Sequence, residues 1–96
     1  MIKHIVCFKL AEPTEENCKK AKEVLMSMKG NVPTVIDIEV GLDFLHSQRS
    51  YDIILQVTLE SRDVLDTYQN DPYHVDVVKK HMHAVCASSI AVDYDL

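Results

Sequence analysis

Residues 36–59 read IDIEVGLDFLHSQRSYDIILQVTL. In the first half Ile36, Ile38, Val40, Leu42 and Phe44 alternate with Asp37, Glu39, Gly41 and Asp43. In the second half Tyr51, Ile53, Leu55, Val57 and Leu59 fall on every other position. A period of two is the pattern of a strand with one buried face. The polar stretch His46–Ser50 separates the halves, so strands are expected over 34–45 and 51–59, joined by a loop. What flanks this pair decides the fold.

On the N-terminal side, His4, Val6 and Phe8 share one face of a first strand, extended by Ile2 and Leu10, while Ile5 and Cys7 fall on the other. Pro13–Thr14 then opens a helix, with Thr14 as N-cap and Glu15 and Glu16 near its positive end. Cys18, Ala21, Leu25 and Met28 repeat at helical spacing, and Gly30 is placed to cap the C-terminus. On the C-terminal side, Ser61 is placed to cap a short helix carrying Val64, Leu65 and Tyr68. Asp71–Pro72 restarts helix, since Asp caps well and Pro suits the first helical position. This helix is expected to run to about residue 84, with Val75, Val78 and Met82 as its core stripe and His74 beside it. Residues 88–95 form a last strand, with Ile90, Val92 and Tyr94 on one face.

The order β-α-β-β-α-β is the split βαβ, ferredoxin-like arrangement. The expectation is an α+β fold in which a four-stranded antiparallel sheet carries the helices on one face. The 96 residues fit one domain, 1–96. The other sheet face would hold Ile5, Cys7, Val35, Ile54 and Ala91 among Asp37, Glu39, Gln56 and Thr58. That mixture is too apolar for open solvent, so a homodimer through the sheet face is expected.

Composition narrows the functional classes. With 47% hydrophobic and 26% charged residues the chain is an ordinary soluble protein. No apolar run approaches the roughly 20 residues that span a bilayer. MIKHIVCFKL alternates rather than forming a signal-peptide core, so a cytoplasmic protein without a membrane partner is expected. A net charge of −5 argues against nucleic acid as partner. Cys7, Cys18 and Cys86 have no CxxC spacing and read as reduced, core-packing thiols.

The five histidines raise a metal question. His81 and His83 point about 200° apart on a helix, and His74 and His81 stand roughly 10.5 Å apart along its axis. Neither pair chelates one ion directly, so no metal is expected; His46 and His83 read as surface residues. His74, third residue of its helix, is the candidate for chemistry. Free backbone N–H groups at the positive helix end disfavour imidazolium and leave a neutral ring able to act as a base. Tyr68 stands six residues earlier, across the Asp71–Pro72 break. His4, the polar residue on an apolar strand face, needs a partner if buried. These three are expected to meet in a pocket lined by Val6, Phe8, Ile53, Leu55 and the Leu25–Met28 stripe, an arrangement suited to a small apolar ligand.

Four stretches taken together, IKHIVCFKL, SYDIILQVTLES, LDTYQNDPYHVDVV and IAVDYDL, resemble the stress-responsive A/B barrel domain family over essentially the whole chain. The resemblance implies a dimeric α+β barrel of two ferredoxin-like subunits packed through their sheets. It also implies one scaffold with several uses. Some members are stress-associated proteins, while polyketide cyclases of the olivetolic acid cyclase type use a Tyr and a His as acid/base groups. Pro72–Tyr73–His74 matches the Pro-x-His element of those cyclases, Tyr68 matches their Tyr, and His4 their strand-one His. Asp71 stands where a His is common. Two readings follow. One is an A/B-barrel protein holding a small apolar ligand through His4, Val6 and Phe8. The other is a cofactor-free acid/base enzyme, cyclase-, isomerase- or monooxygenase-like, with His74 as base and Tyr68 binding the developing oxyanion.

Overall fold

The computed structural model describes residues 1–96. Strand β1 (Ile2–Leu10) is followed by helix α1 (Glu15–Met26), then strands β2 (Asp37–Leu42) and β3 (Ile53–Leu59). A 3-10 turn at Arg62–Val64 leads into the short helix α2 (Leu65–Gln69). A π-helical segment, His74–Lys79, continues into α3 (Lys80–Val85), and β4 (Cys86–Asp95) closes the chain. The sheet order is β2-β3-β1-β4, antiparallel throughout. This is the ferredoxin-like fold that the alternation predicts. No helix is long and apolar enough to cross a membrane.

Register fixes the two faces, because directly paired residues point the same way. His4 pairs with Val57 and Asp93, Val6 with Leu55 and Ala91, and Phe8 with Ile53 and Ser89. Ile38 and Val40 complete this face from β2. It packs on Ala21 and Leu25 from α1, Met28 from the turns after it, Tyr68 from α2, and Val78 and Met82 from the segment 74–85, all buried. At about 25 cal/mol per Å2 of apolar surface removed from water, this face supplies the main drive to fold.

The strand ends differ from the sequence reading. Ile36 is exposed and Val35 packs against the core instead, because the chain is still turning: the Val35 N–H bonds to the Val32 carbonyl. Phe44 and Leu45 are exposed beyond the end of β2, in a loop where Asp43 Oδ2 accepts the His46 N–H at 2.7 Å. Tyr51 precedes β3 and lies under Lys9 Nζ, 4.8 Å from the ring centroid. Ala91, expected on the open face, pairs with Val6 and faces the helices. Ile90, Val92 and Tyr94 occupy the open face, paired with Cys7, Ile5 and Lys3.

Thr14 Oγ1 accepts the Asn17 N–H at 3.1 Å, as its N-cap role requires. Helix α1 ends at Met26, four residues before Gly30, and tight turns carry the chain on through Met28. Gly30 adopts φ +85°, and an added Cβ would meet no atom within 4 Å. The cost of Gly30→Ala is therefore conformational, about 1 kcal/mol. Urea unfolding is expected to show that loss with an unchanged m-value.

Candidate functional site

His4 is held from the neighbouring strand. The β1–β4 register places Asp93 directly opposite it, and His4 Nδ1 bonds to the Asp93 carboxylate. A buried imidazole among apolar side chains needs such a partner. The bond uses Nδ1 and leaves Nε2 without a protein partner.

His74 is held by the end of the preceding helix. The last carbonyls of a helix lack intrahelical donors. At α2, the Tyr68 carbonyl accepts His74 Nδ1 at 2.9 Å and the Gln69 carbonyl accepts Lys79 Nζ at 2.9 Å. Since a carbonyl only accepts, His74 Nδ1 carries the proton, and Nε2 of the neutral ring is an acceptor. Burial pushes the His74 pKa below its ordinary 6.5, with the Lys79 and His4 charges adding to the effect; the bond to the Tyr68 carbonyl and the Asp71 charge oppose it. The cause differs from the helix-end effect expected from the sequence. Asp71 Oδ1 accepts the Tyr73 N–H at 2.9 Å and the His74 N–H at 3.3 Å, so the positive helix end is already answered by a carboxylate.

The π turn corrects the predicted helix face. Val75 is 39% exposed, and His74 is buried in line with Val78 and Met82. Steps of four drift by about 40° each along an α-helix. The wider turn over His74–Lys79 offsets that drift and keeps the three residues on one wall.

Tyr68 sits between the histidines. Its ring centroid is 5.5 Å from that of His4, edge-on, and 4.5 Å from that of His74. The hydroxyl donates to Met28 Sδ at 3.6 Å, and the residue is fully buried. Burial, aided by the Asp93 charge, holds the phenol well above its usual pKa of 10.0, so it stays protonated.

These groups border a cavity of about 280 Å3 between the sheet and the last helix. His4, Val6, Phe8, Tyr68 and His74, the residues singled out in the sequence, all line it, with Leu25 and Leu55. Ile53 and Met28 do not; Val78, Met82, Cys86, Ser89 and Ala91 take their place. His83, read as a surface residue, borders the cavity as well. No three His, Cys, Asp or Glu side chains gather in a metal-binding cluster.

Asp93 was missed by sequence reasoning. The alternation of β4 puts it on the face opposite Ile90 and Val92, which is the available signal. Its position across from His4 depends on the β1–β4 register, which periodicity alone does not give.

The architecture is thus a ferredoxin-like α+β domain whose cavity opens between sheet and helices. The chain belongs to the stress responsive A/B barrel domain family, whose model matches residues 2–96. A dimeric protein of unknown function with a ferredoxin-like fold from Bacteroides fragilis is similar with a TM-score of 0.83 at 29% identity, over 99% of this chain and 95% of that one. A dimeric ferredoxin-like protein of unknown function from Thermobifida fusca gives a TM-score of 0.83 at 22% identity, over 99% and 90% of the two chains. A hydroxynitrile lyase from Passiflora edulis shares the fold with a TM-score of 0.77 at 13% identity, over 99% and 92%. No curated protein matches the chain.

Proposed function

We propose that this A/B-barrel protein binds a small, largely apolar molecule carrying a carbonyl or hydroxyl group in the cavity between sheet and helices. One observation carries the reading. Two histidines border the same apolar cavity, each anchored through Nδ1 with Nε2 left without a protein partner. An apolar enclosure with a few convergent polar atoms is the usual form of a small-molecule site. Val6 and Phe8 would contact the apolar body of the ligand, and His4 and His74 its polar edge. The test is a thermal-shift screen with phenols and 1,3-dicarbonyl compounds. A saturating binder at one hundred times its Kd raises stability by about 2.7 kcal/mol. His74→Ala is expected to abolish that shift while leaving the unliganded protein folded. A panel without any shift overturns the reading.

The unlike anchors of the two histidines favour a second reading, a cofactor-free acid/base enzyme. His74 hangs from a neutral carbonyl and presents Nε2 as a base; His4 is anchored to the Asp93 carboxylate. Two imidazoles held by different partners at one cavity suit an acid/base pair. Tyr68, whose hydroxyl is turned to Met28, would serve chiefly by orienting His74 through its carbonyl. Solvent deuterium uptake by 1,3-diketones, followed by NMR, tests this reading. Protein-dependent exchange lost in His74→Gln supports it; exchange no faster than in buffer sinks it.

We also read the assembly as a homodimer through the open sheet face, in the cytoplasm. The exposed Ile90, Val92 and Tyr94 beside Ile5 and Cys7, three unpaired thiols, and two solved neighbours described as dimeric support this. Light scattering is expected to give twice the 10.9 kDa chain mass for the native protein and a single mass for Val92→Asp.

A further inference from the structure

Asp93 borders two spaces. One carboxylate oxygen bonds to His4 Nδ1, whose ring lines the cavity between sheet and helices. The same side chain is 40% exposed and lines a separate cleft of about 210 Å3, formed with Ile2, Arg62, Leu65, Tyr94 and Asp95. His4 is 5% exposed and Tyr68 fully buried, so the His4–Asp93 hydrogen bond links a buried ring at the cavity to a carboxylate at the cleft. The charged groups around the cleft pair among themselves: Arg62 Nε donates to Asp95 Oδ1 at 2.9 Å, and the chain N-terminus adds its charge near Asp95. Arg62 is thereby occupied, and His4 is the ring bonded to Asp93.

We propose that His4 and Asp93 form a proton conduit between the cavity and bulk water at the cleft. It rests on the cavity being a working site, and it names the route by which that site gains or loses a proton with its mouth blocked by ligand. When a ligand gives a proton to His4 Nε2, the Nδ1 proton passes to Asp93 and from there to water in the cleft. Delivery runs in reverse: water protonates Asp93, Asp93 protonates Nδ1, and Nε2 releases its proton to the ligand. Each transfer moves one proton and returns the pair to its single negative charge; outward transfer leaves His4 as the Nε2–H tautomer and inward transfer restores Nδ1–H, so the two directions alternate. Asp93 acts through His4 and is a positioning and relay residue.

The test uses the ligand-free protein, so its outcome is independent of whether any screened compound binds. Exchange of the imidazole N–H protons of His4 and His74 with water is measured by NMR saturation transfer on 15N-labelled protein. Asp93→Asn is expected to slow His4 exchange about a hundredfold, the lower end of proton-transfer assistance by a positioned side chain. Asp93→Glu restores the rate, and His74 exchange stays unchanged in both. Leu65→Trp fills the cleft without touching the His4–Asp93 bond and is expected to slow His4 alone; it serves as the independent variant should Asp93→Asn fail to fold. An unaltered His4 rate in Asp93→Asn or Leu65→Trp, or equal slowing of both histidines, overturns the conduit.

Discussion

Tyr68→Ala is expected to lower stability by about 3–5 kcal/mol, the usual cost of truncating a large, fully buried aromatic. The ring fills the space between His4 and His74 and is 0% exposed. Its loss opens a hole that the sheet on one side and α1 on the other are too rigid to fill. Total stability for a domain of this kind is about 5–15 kcal/mol, so a large share disappears. Thermal unfolding should then shift down by roughly 20 °C. Tyr68→Phe separates the ring from the hydroxyl. It gives up one weak bond to Met28 Sδ, keeps the backbone carbonyl that holds His74, and is expected to cost about 1 kcal/mol. If Tyr68→Phe matched Tyr68→Ala in stability loss, the ring-packing account would be wrong.

The second large effect is the pH response carried by His74. Its folded-state pKa lies below the ordinary 6.5, chiefly through burial. The unfolded chain therefore binds a proton more readily at this residue than the folded chain does. As pH falls through about 6.5, proton uptake favours the unfolded state, and stability declines until the pH passes below the folded-state pKa. Above 6.5 both states are neutral and the contribution is fully present. Chemical denaturation at pH 5 and pH 8 is expected to show lower stability at pH 5, with the gap narrowed in His74→Gln. An equal gap in the variant would remove His74 as its source. The same neutral ring presents Nε2 as a base, so ligand effects that depend on His74 should fade over the same acid range.

Much of the fold was legible because the sheet repeats every two residues and its two faces differ in composition. Ile38, Val40, Ile53, Leu55, Val57 and Leu59 follow from alternation alone. The ends were less legible: Ile36 and Phe44 continue the pattern in sequence, yet Ile36 is exposed although its N–H bonds to the Thr58 carbonyl, and Phe44 lies in the loop beyond β2. The helix carrying His74 was misread by one position. The α period puts Val75 in the core, and only the tertiary pull of the Tyr68 and Gln69 carbonyls on His74 and Lys79 accompanies the wider turn. At the site, the motif and the apolar face of β1 led to His4, Val6, Phe8, Tyr68 and His74. Asp93 lay beyond reach because a strand pattern states which face a residue takes and not which residue it meets. The direction of the Tyr68 hydroxyl was hidden for a similar reason, since Met28 reaches it from an element some forty residues away.

The π turn at His74–Lys79 also bears on how this segment tolerates a change in length. A π turn holds one residue more than the α turn it replaces, so a single codon separates the two forms. Deleting one residue between 75 and 77 would return the segment to α geometry with the helix face beyond it nearly unchanged, because the wider turn carries its extra residue without advancing the phase. Val78 and Met82 would then follow His74 at the i+3 and i+7 spacing of one helical face and would keep the wall. A residue can thus be gained or lost in this segment with the cavity lining and all four strands left in place.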